Sequence, residues 1–143
     1  MPAVFRVERR IEFCETDAAG IAHFSAFLCY MEQAEHALWR HLGTSVSSDI
    51  GDGWHLSWPR VHVECDYRGT GRFEDCLQID VRVAKLGAKS VTYAFDFQLA
   101  GKSIASGRVV AVCCRVRPGS PLQSTPIPDD LRSKLASYLS PAE

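Results

Sequence analysis

Residues 24–42 read FSAFLCYMEQAEHALWRHL. Phe24, Phe27, Leu28, Met31, Ala34, Leu38 and Leu42 recur at spacings of three and four, so they share one face of a helix, and Gly43 follows as a stop. No other segment supports a long helix. Upstream, Phe5, Val7, Arg9, Ile11 and Phe13 share one parity, which is the alternation of a strand. Downstream of a Gly/Ser/Asp-rich loop at 44–53, the period returns to two. Val61, Val63, Cys65 and Tyr67 alternate with Arg60, His62, Glu64 and Asp66, and 77–86, 90–99 and 104–116 read as three further strands. Gly87-Ala88 and Gly101-Lys102 supply the short turns between them. Residues 118–128 form a Pro/Ser-rich connection and 129–139 a short closing helix. One helix against five antiparallel strands buries both apolar faces, so the expected class is α+β, a single domain over 1–143.

Composition narrows the function classes. Apolar residues make up 46% and charged residues 23%, which excludes a disordered chain. The net charge of −1 argues against a nucleic-acid partner, whose phosphates call for a basic surface. The charge is uneven, however. Between Arg82 and Arg117 there are seven basic side chains and only Asp96 against them, a local positive field suited to a small polyanion. The six cysteines show no CxxC or zinc-ligand spacing, and five scattered histidines give no metal set, so neither a metal nor a cofactor is expected. Charge arrives early in MPAVFRVERR and no apolar run reaches membrane length, which gives an expectation of a cytoplasmic protein with reduced thiols and no membrane span.

Nucleophile elbows, P-loops and HExxH are all absent. The sharper signal is ETDAAGIAHF, residues 15–24, which places carboxylates and small residues just ahead of the long helix. Free N–H groups at a helix start stabilise an oxyanion. The same residues also suit ordinary capping by Thr16 or Asp17.

The sequence resembles the hotdog-fold thioesterases of the 4-hydroxybenzoyl-CoA thioesterase and bacterial acyl-CoA thioesterase group. The likeness rests on Phe13-Cys14-Glu15-Thr16-Asp17-Ala18-Ala19-Gly20, then His23-Phe24, then Tyr30-Met31-Glu32, with Arg72-Phe73-Glu74-Asp75 and Lys89-Ser90 further on. Glu15 stands where the family motif opens with Asp, and His23-Phe24 reverses the aromatic-then-His order of one branch. The resemblance implies a hotdog fold, a long central helix wrapped by a five-stranded antiparallel sheet. It also implies hydrolysis of an acyl-CoA thioester by a homodimer or homotetramer. Asp17 then matches the catalytic nucleophile or general base. Gly20, His23 and Phe24 match the oxyanion site and acyl pocket, and Lys89 and Ser90 match the region that meets the CoA phosphates, usually from the neighbouring subunit.

Two features are this chain's own. Glu35 projects near the centre of the apolar helix face, where an acid must be paired, protonated or set at a gap in the packing; Glu32 lies on its flank, as a structural or supporting acid. Arg60, His62, Glu64, Asp66 and Arg68 share one parity, either as a solvated or subunit-contact face or with His62 and Glu64 supporting the site. The rival readings are a non-catalytic acyl-thioester binding module and a hotdog hydratase or dehydratase, for which His23 is the only histidine near Asp17.

Overall fold

A computed structural model describes residues 3–140. It contains strand β1 (Phe5–Arg10), helix α1 (Ala26–His41), short strands β2 (Asp49–Gly51) and β3 (Trp54–Ser57), and long strands β4 (Arg60–Tyr67), β5 (Cys76–Leu86), β6 (Ser90–Leu99) and β7 (Lys102–Val112). Strands β8 (Cys114–Val116) and β9 (Gln123–Ser124) and helix α2 (Asp129–Ala136) follow. The long strands form one antiparallel sheet in the order β1-β5-β6-β7-β4, as expected for the class.

Helix α1 packs on one face of this sheet. Trp39 Nε1 donates to the buried Tyr93 hydroxyl at 3.0 Å, and Phe27 meets Phe97 edge-on at 5.1 Å. At Gly107 of β7 a Cβ would sit 2.5 Å from the Met31 sulfur, so glycine makes room for the helix side chain there. Met31, Leu38, Ile79, Val81 and Phe97 are fully buried in the resulting core, each contributing about 1.5–3 kcal/mol of apolar burial. The opposite face carries polar pairs, including a bidentate Arg6–Asp80 pair at 2.6 and 3.0 Å.

The helical periodicity holds, with a correction at its N-terminal end. Phe24 and Leu28 do not join the core but stay 65% and 41% exposed, while Tyr30 and Trp39, outside the expected stripe, are buried. Both lie toward the open outer edge of β4, the last strand of the sheet, where Leu28 borders a recess over Val63 and Val109 instead of packing tightly. The expected strand over 104–116 also divides. Cys113 donates its N–H to Lys89 and the chain leaves the main sheet, so that β8 joins β2, β3 and β9 in a second, four-stranded sheet.

Strand β4 brings a second correction. Its register against β7 shifts between Arg60 and His62, so Val61 is an extra residue, and the two neighbours that simple alternation puts on one side fall on opposite sides. His62, Glu64 and Asp66 oppose Val110, Arg108 and Ser106 on the face away from the helix. Arg60 opposes buried Ala111 and turns toward α1.

Candidate active site

The segment between β1 and α1 is a tight turn braced from below. Its N–H and C=O groups pair within the turn: Asp17 N–H to Ile21 O at 2.9 Å and Gly20 N–H to Asp17 O at 2.9 Å. Asp17 Oδ1 accepts the Ala19 N–H at 2.9 Å. Gly20 takes φ +78°, a conformation side chains resist, which explains the glycine. Its N–H is therefore paired within the turn. The Phe24 N–H has no acceptor among the described residues.

Glu15 lies at the hub of the brace. It accepts from Arg9, from the Glu12 N–H at 2.8 Å and from the Tyr30 hydroxyl at 2.9 Å. Burial, then the Glu15 carboxylate, push the Tyr30 phenol well above its usual range, so it stays a donor. From the other side Gly71 accepts the Ala22 N–H at 2.8 Å, and Ile21 bridges to Arg72. Gly71 is packed so tightly that a Cβ would come within 2.5 Å of Ile11.

Asp17 opens into a cleft of about 380 Å³ lined also by Ile21, Ala22, Phe24, Phe27 and Tyr67. Nothing in the sequence singles out Tyr67 as a site residue. Its hydroxyl donates to the Phe24 carbonyl at 2.7 Å, tying the start of α1 to the edge strand, and its alternation with charged neighbours was the only signal available. His23 stacks on Phe24 with ring centres 4.5 Å apart, and its Nδ1 lies 2.7 Å from Ser25 Oγ. Helix α1 itself begins at Ala26 with Ser25 at the cap position.

Farther along α1, Glu35 is 1% exposed and paired with Arg60, whose other nitrogen donates to the Trp58 carbonyl at 2.7 Å. Burial raises the Glu35 carboxyl to about 7 despite the opposing pull of Arg60, with Glu32 adding to the rise. Burial also lowers His36. Glu35 and Glu32 line a recess of about 230 Å³ with Leu28, Cys29, Arg60, Val63 and Val109.

The remaining expected site residues lie elsewhere. His62 and Glu64 sit 3.7 Å apart on the outward face of β4, both more than half exposed, and the strand separates them from the Asp17 cleft. The bulge at Val61 is the reason that Arg60 reaches the helix side while His62, Glu64 and Asp66 do not. Lys89 and Ser90 lie at the β5–β6 turn, where Ser90 pairs with Val112, whereas Tyr67 beside the Asp17 cleft pairs with Ala105. Seven residues of β7 separate these two points, about 23 Å at strand rise. Within one copy, then, Lys89 and Asp17 are at opposite ends of the sheet. Lys89 reaches toward Ser124 Oγ at 3.5 Å, next to Gln123, which holds Arg115 at 2.9 Å. Arg115 and Arg117 stack on the Trp54 ring at 4.5 and 4.3 Å, so these two basic residues gather on the small sheet.

Comparison with known proteins adds to this geometry. The family profile described as the Thioesterase-like superfamily matches residues 11–135. The chain is 26% identical over 133 residues to the 1,4-dihydroxy-2-naphthoyl-CoA hydrolase of Synechococcus elongatus, covering 93% of this chain and 96% of that one. The solved gentisyl-coenzyme A thioesterase is 27% identical with a TM-score of 0.79, over 92% of this chain and 99% of that one. The Synechocystis 1,4-dihydroxy-2-naphthoyl-CoA thioesterase has the same fold, with a TM-score of 0.81 at 20% identity over 94% and 96% of the two chains.

Proposed function

From a chain that belongs to the thioesterase-like superfamily and is a thioester hydrolase acting on CoA thioesters, we propose a specific mechanism in which Asp17 carries the chemistry. The observation behind this reading is the cleft where the Asp17 carboxylate, an unengaged N–H at Phe24 and the start of α1 converge. As general base, Asp17 takes a proton from water while the water oxygen bonds to the acyl carbon. As nucleophile it bonds to that carbon directly, and water then splits the anhydride. In both cases the carbonyl oxygen gains negative charge, which the Phe24 N–H and the α1 dipole stabilise. In the first route the carbon–sulfur bond breaks after water has added, and the leaving thiolate takes the proton held by Asp17. In the second it breaks as the anhydride forms, and the thiolate takes its proton from solvent. In both, CoA departs as the thiol and the acid follows. Tyr67 and Glu15 hold the two flanks of the turn and position Asp17 and Phe24.

The functional unit in this reading is a hotdog homodimer or a tetramer built from it. Strand β4 has an open edge, and beside it Phe24, Leu28, Val61, Val63 and Tyr67 are all exposed. Natural sheets pair or cover such an edge. A two-fold axis through β4 joins two sheets antiparallel, with both helices on one side. It also carries Lys89 of one copy toward the Asp17 end of the other, as contact with the CoA phosphates requires. The substrate is an intact acyl-CoA, and the names of the relatives point to aromatic acyl groups.

Thiol release from a panel of aromatic and straight-chain acyl-CoAs tests the reaction, with light scattering at micromolar concentration testing the assembly. Stoichiometric free CoA is the expected result. Binding without thiol release would mark a binding module, and consumption of enoyl-CoA without thiol would mark a hydratase. An active monomer would overturn the pairing through β4.

A further inference from the structure

Residues 12–20, which carry Asp17, contain no buried side chain. Apolar burial therefore does not hold this segment against the molecule, and its place rests on hydrogen bonds. The chain doubles back here as a small ladder: the His23 N–H donates to the Glu15 carbonyl at 2.8 Å, Thr16 bridges Ala22, and the Asp17 N–H meets Ile21. The returning strand of the ladder is fixed where Ala22 and Ile21 meet Gly71 and Arg72. The outgoing strand bears Asp17. Among the described residues, the side-chain hydrogen bonds that tie it to α1 and β1 all pass through the carboxylate of Glu15.

Three other side chains assemble that anchor. One Glu15 oxygen accepts the Tyr30 hydroxyl at 2.9 Å and the Glu12 N–H at 2.8 Å, and the other accepts from Arg9. Arg9 lies over the Tyr30 ring at 4.9 Å and donates to Gln33 Oε1 at 2.8 Å. Tyr30 and Gln33 are one turn apart on α1, so the helix presents both to one point and Arg9 joins them to β1. Tyr30 is fully buried and meets Phe27 edge-on at 5.7 Å, and Phe27 lines the Asp17 cleft. An aspartate at position 15, one methylene shorter, would have to give up either the Tyr30 hydroxyl or the Glu12 N–H.

We propose that Tyr30, with Arg9 and Gln33 behind it, is a positioning residue for Asp17, acting through the Glu15 carboxylate and the ladder that rises from it. This rests on the thioesterase reading and carries its brace into the helix core. The Tyr30 hydroxyl does not line the cleft; what it fixes is where the tip of the ladder, and with it the Asp17 carboxylate, stands. Misplacing a reacting group by about 1 Å costs on the order of 100-fold in rate, and a segment with no buried side chain has little else to resist such a shift. Substrate binding should not follow, because the cleft walls at Phe27, Tyr67 and Gly69 belong to other elements.

The experiment compares the wild type with Tyr30→Phe, Glu15→Asp and Gln33→Ala by two readouts. One is kcat and KM on the acyl-CoA that the wild type turns over fastest. The other is the Ala19 amide in a heteronuclear NMR spectrum, since that N–H donates to Asp17 Oδ1 at 2.9 Å and reports where the carboxylate stands. Tyr30→Phe and Glu15→Asp are expected to lower kcat about 10- to 100-fold with KM within about twofold. The Ala19 proton should move upfield in both and exchange faster with solvent. Gln33→Ala, at an exposed position, should fold as the wild type does and show the same pattern with a loss of about threefold. A purely structural role would lower the melting temperature and leave both readouts unchanged in the folded protein, and that result overturns the proposal. So does a fall in kcat with the Ala19 signal unmoved, or a loss carried by KM. If Tyr30→Phe and Glu15→Asp fail to fold, wild-type values of both readouts in Gln33→Ala overturn it. An absence of thiol release from every acyl-CoA overturns the thioesterase reading itself, while the Ala19 signal still decides whether Tyr30 sets the place of Asp17.

Discussion

Asp17 and Glu35 are both carboxylates beside α1, and they are held in opposite ways. Asp17 stands on a turn whose shape comes from backbone hydrogen bonds and a left-handed glycine, so its side chain is placed without being buried. Glu35 is held by burial, with one oxygen on Arg60 and the other unpaired. The first arrangement leaves a charge available for chemistry at little cost to folding. The second makes a charge expensive and turns any change in its ionisation into a change in stability.

The contrast breaks most visibly under substitution. Asp17→Asn keeps the shape of the turn but removes basicity, and should lower kcat about 100-fold or more with KM and the melting temperature little altered. Full turnover in a folded Asp17→Asn protein would end the mechanism. Arg60→Ala should do the reverse for stability, costing about 3 kcal/mol in a urea titration at pH 8, because it leaves the buried Glu35 without its cation. Acidification should recover part of that loss as Glu35 takes up a proton.

The pH dependence of the wild type sharpens the same point. Below about pH 4.5 Glu35 is protonated in folded and unfolded chains alike. As pH rises, the unfolded chain ionises first while burial keeps the folded carboxyl protonated to about 7. The contribution of this group therefore falls across the window from 4.5 to 7, by on the order of 3 kcal/mol at full extent. Denaturation midpoints measured through that window should show a slope that Glu35→Gln flattens; an unchanged slope would mean that Arg60 holds the carboxylate ionised. The smallest effect belongs to the far end of the sheet. Lys89→Ala should raise KM several-fold with kcat unchanged, and the difference should shrink with salt and vanish on a pantetheine thioester. An equal loss on both substrates would remove Lys89 from the CoA contacts.

The sequence by itself determined the parts that local periodicity encodes. The stripe from Phe27 through Met31 and Ala34 to Leu38 specifies α1, the alternations at 77–86 and 90–99 specify two inner strands, and the small residues around Asp17 specify a turn before the helix. It also marked Glu35 as an acid on an apolar face, where the structure buries it. Only the tertiary structure decided what those parts face. Phe24 and Leu28 carry the same periodicity as Met31, yet they are exposed because strand order ends the sheet at β4. Arg60 has the same parity as His62, yet one extra residue at Val61 turns it to the helix and makes it the partner of Glu35. Nor does any pattern of side chains announce that the chain leaves the main sheet at Cys113 to collect Arg115 and Arg117 on Trp54. Periodicity is a property of neighbours along the chain. Register, edges and bulges arise from pairing between segments far apart in it, and that pairing sets which side chains meet.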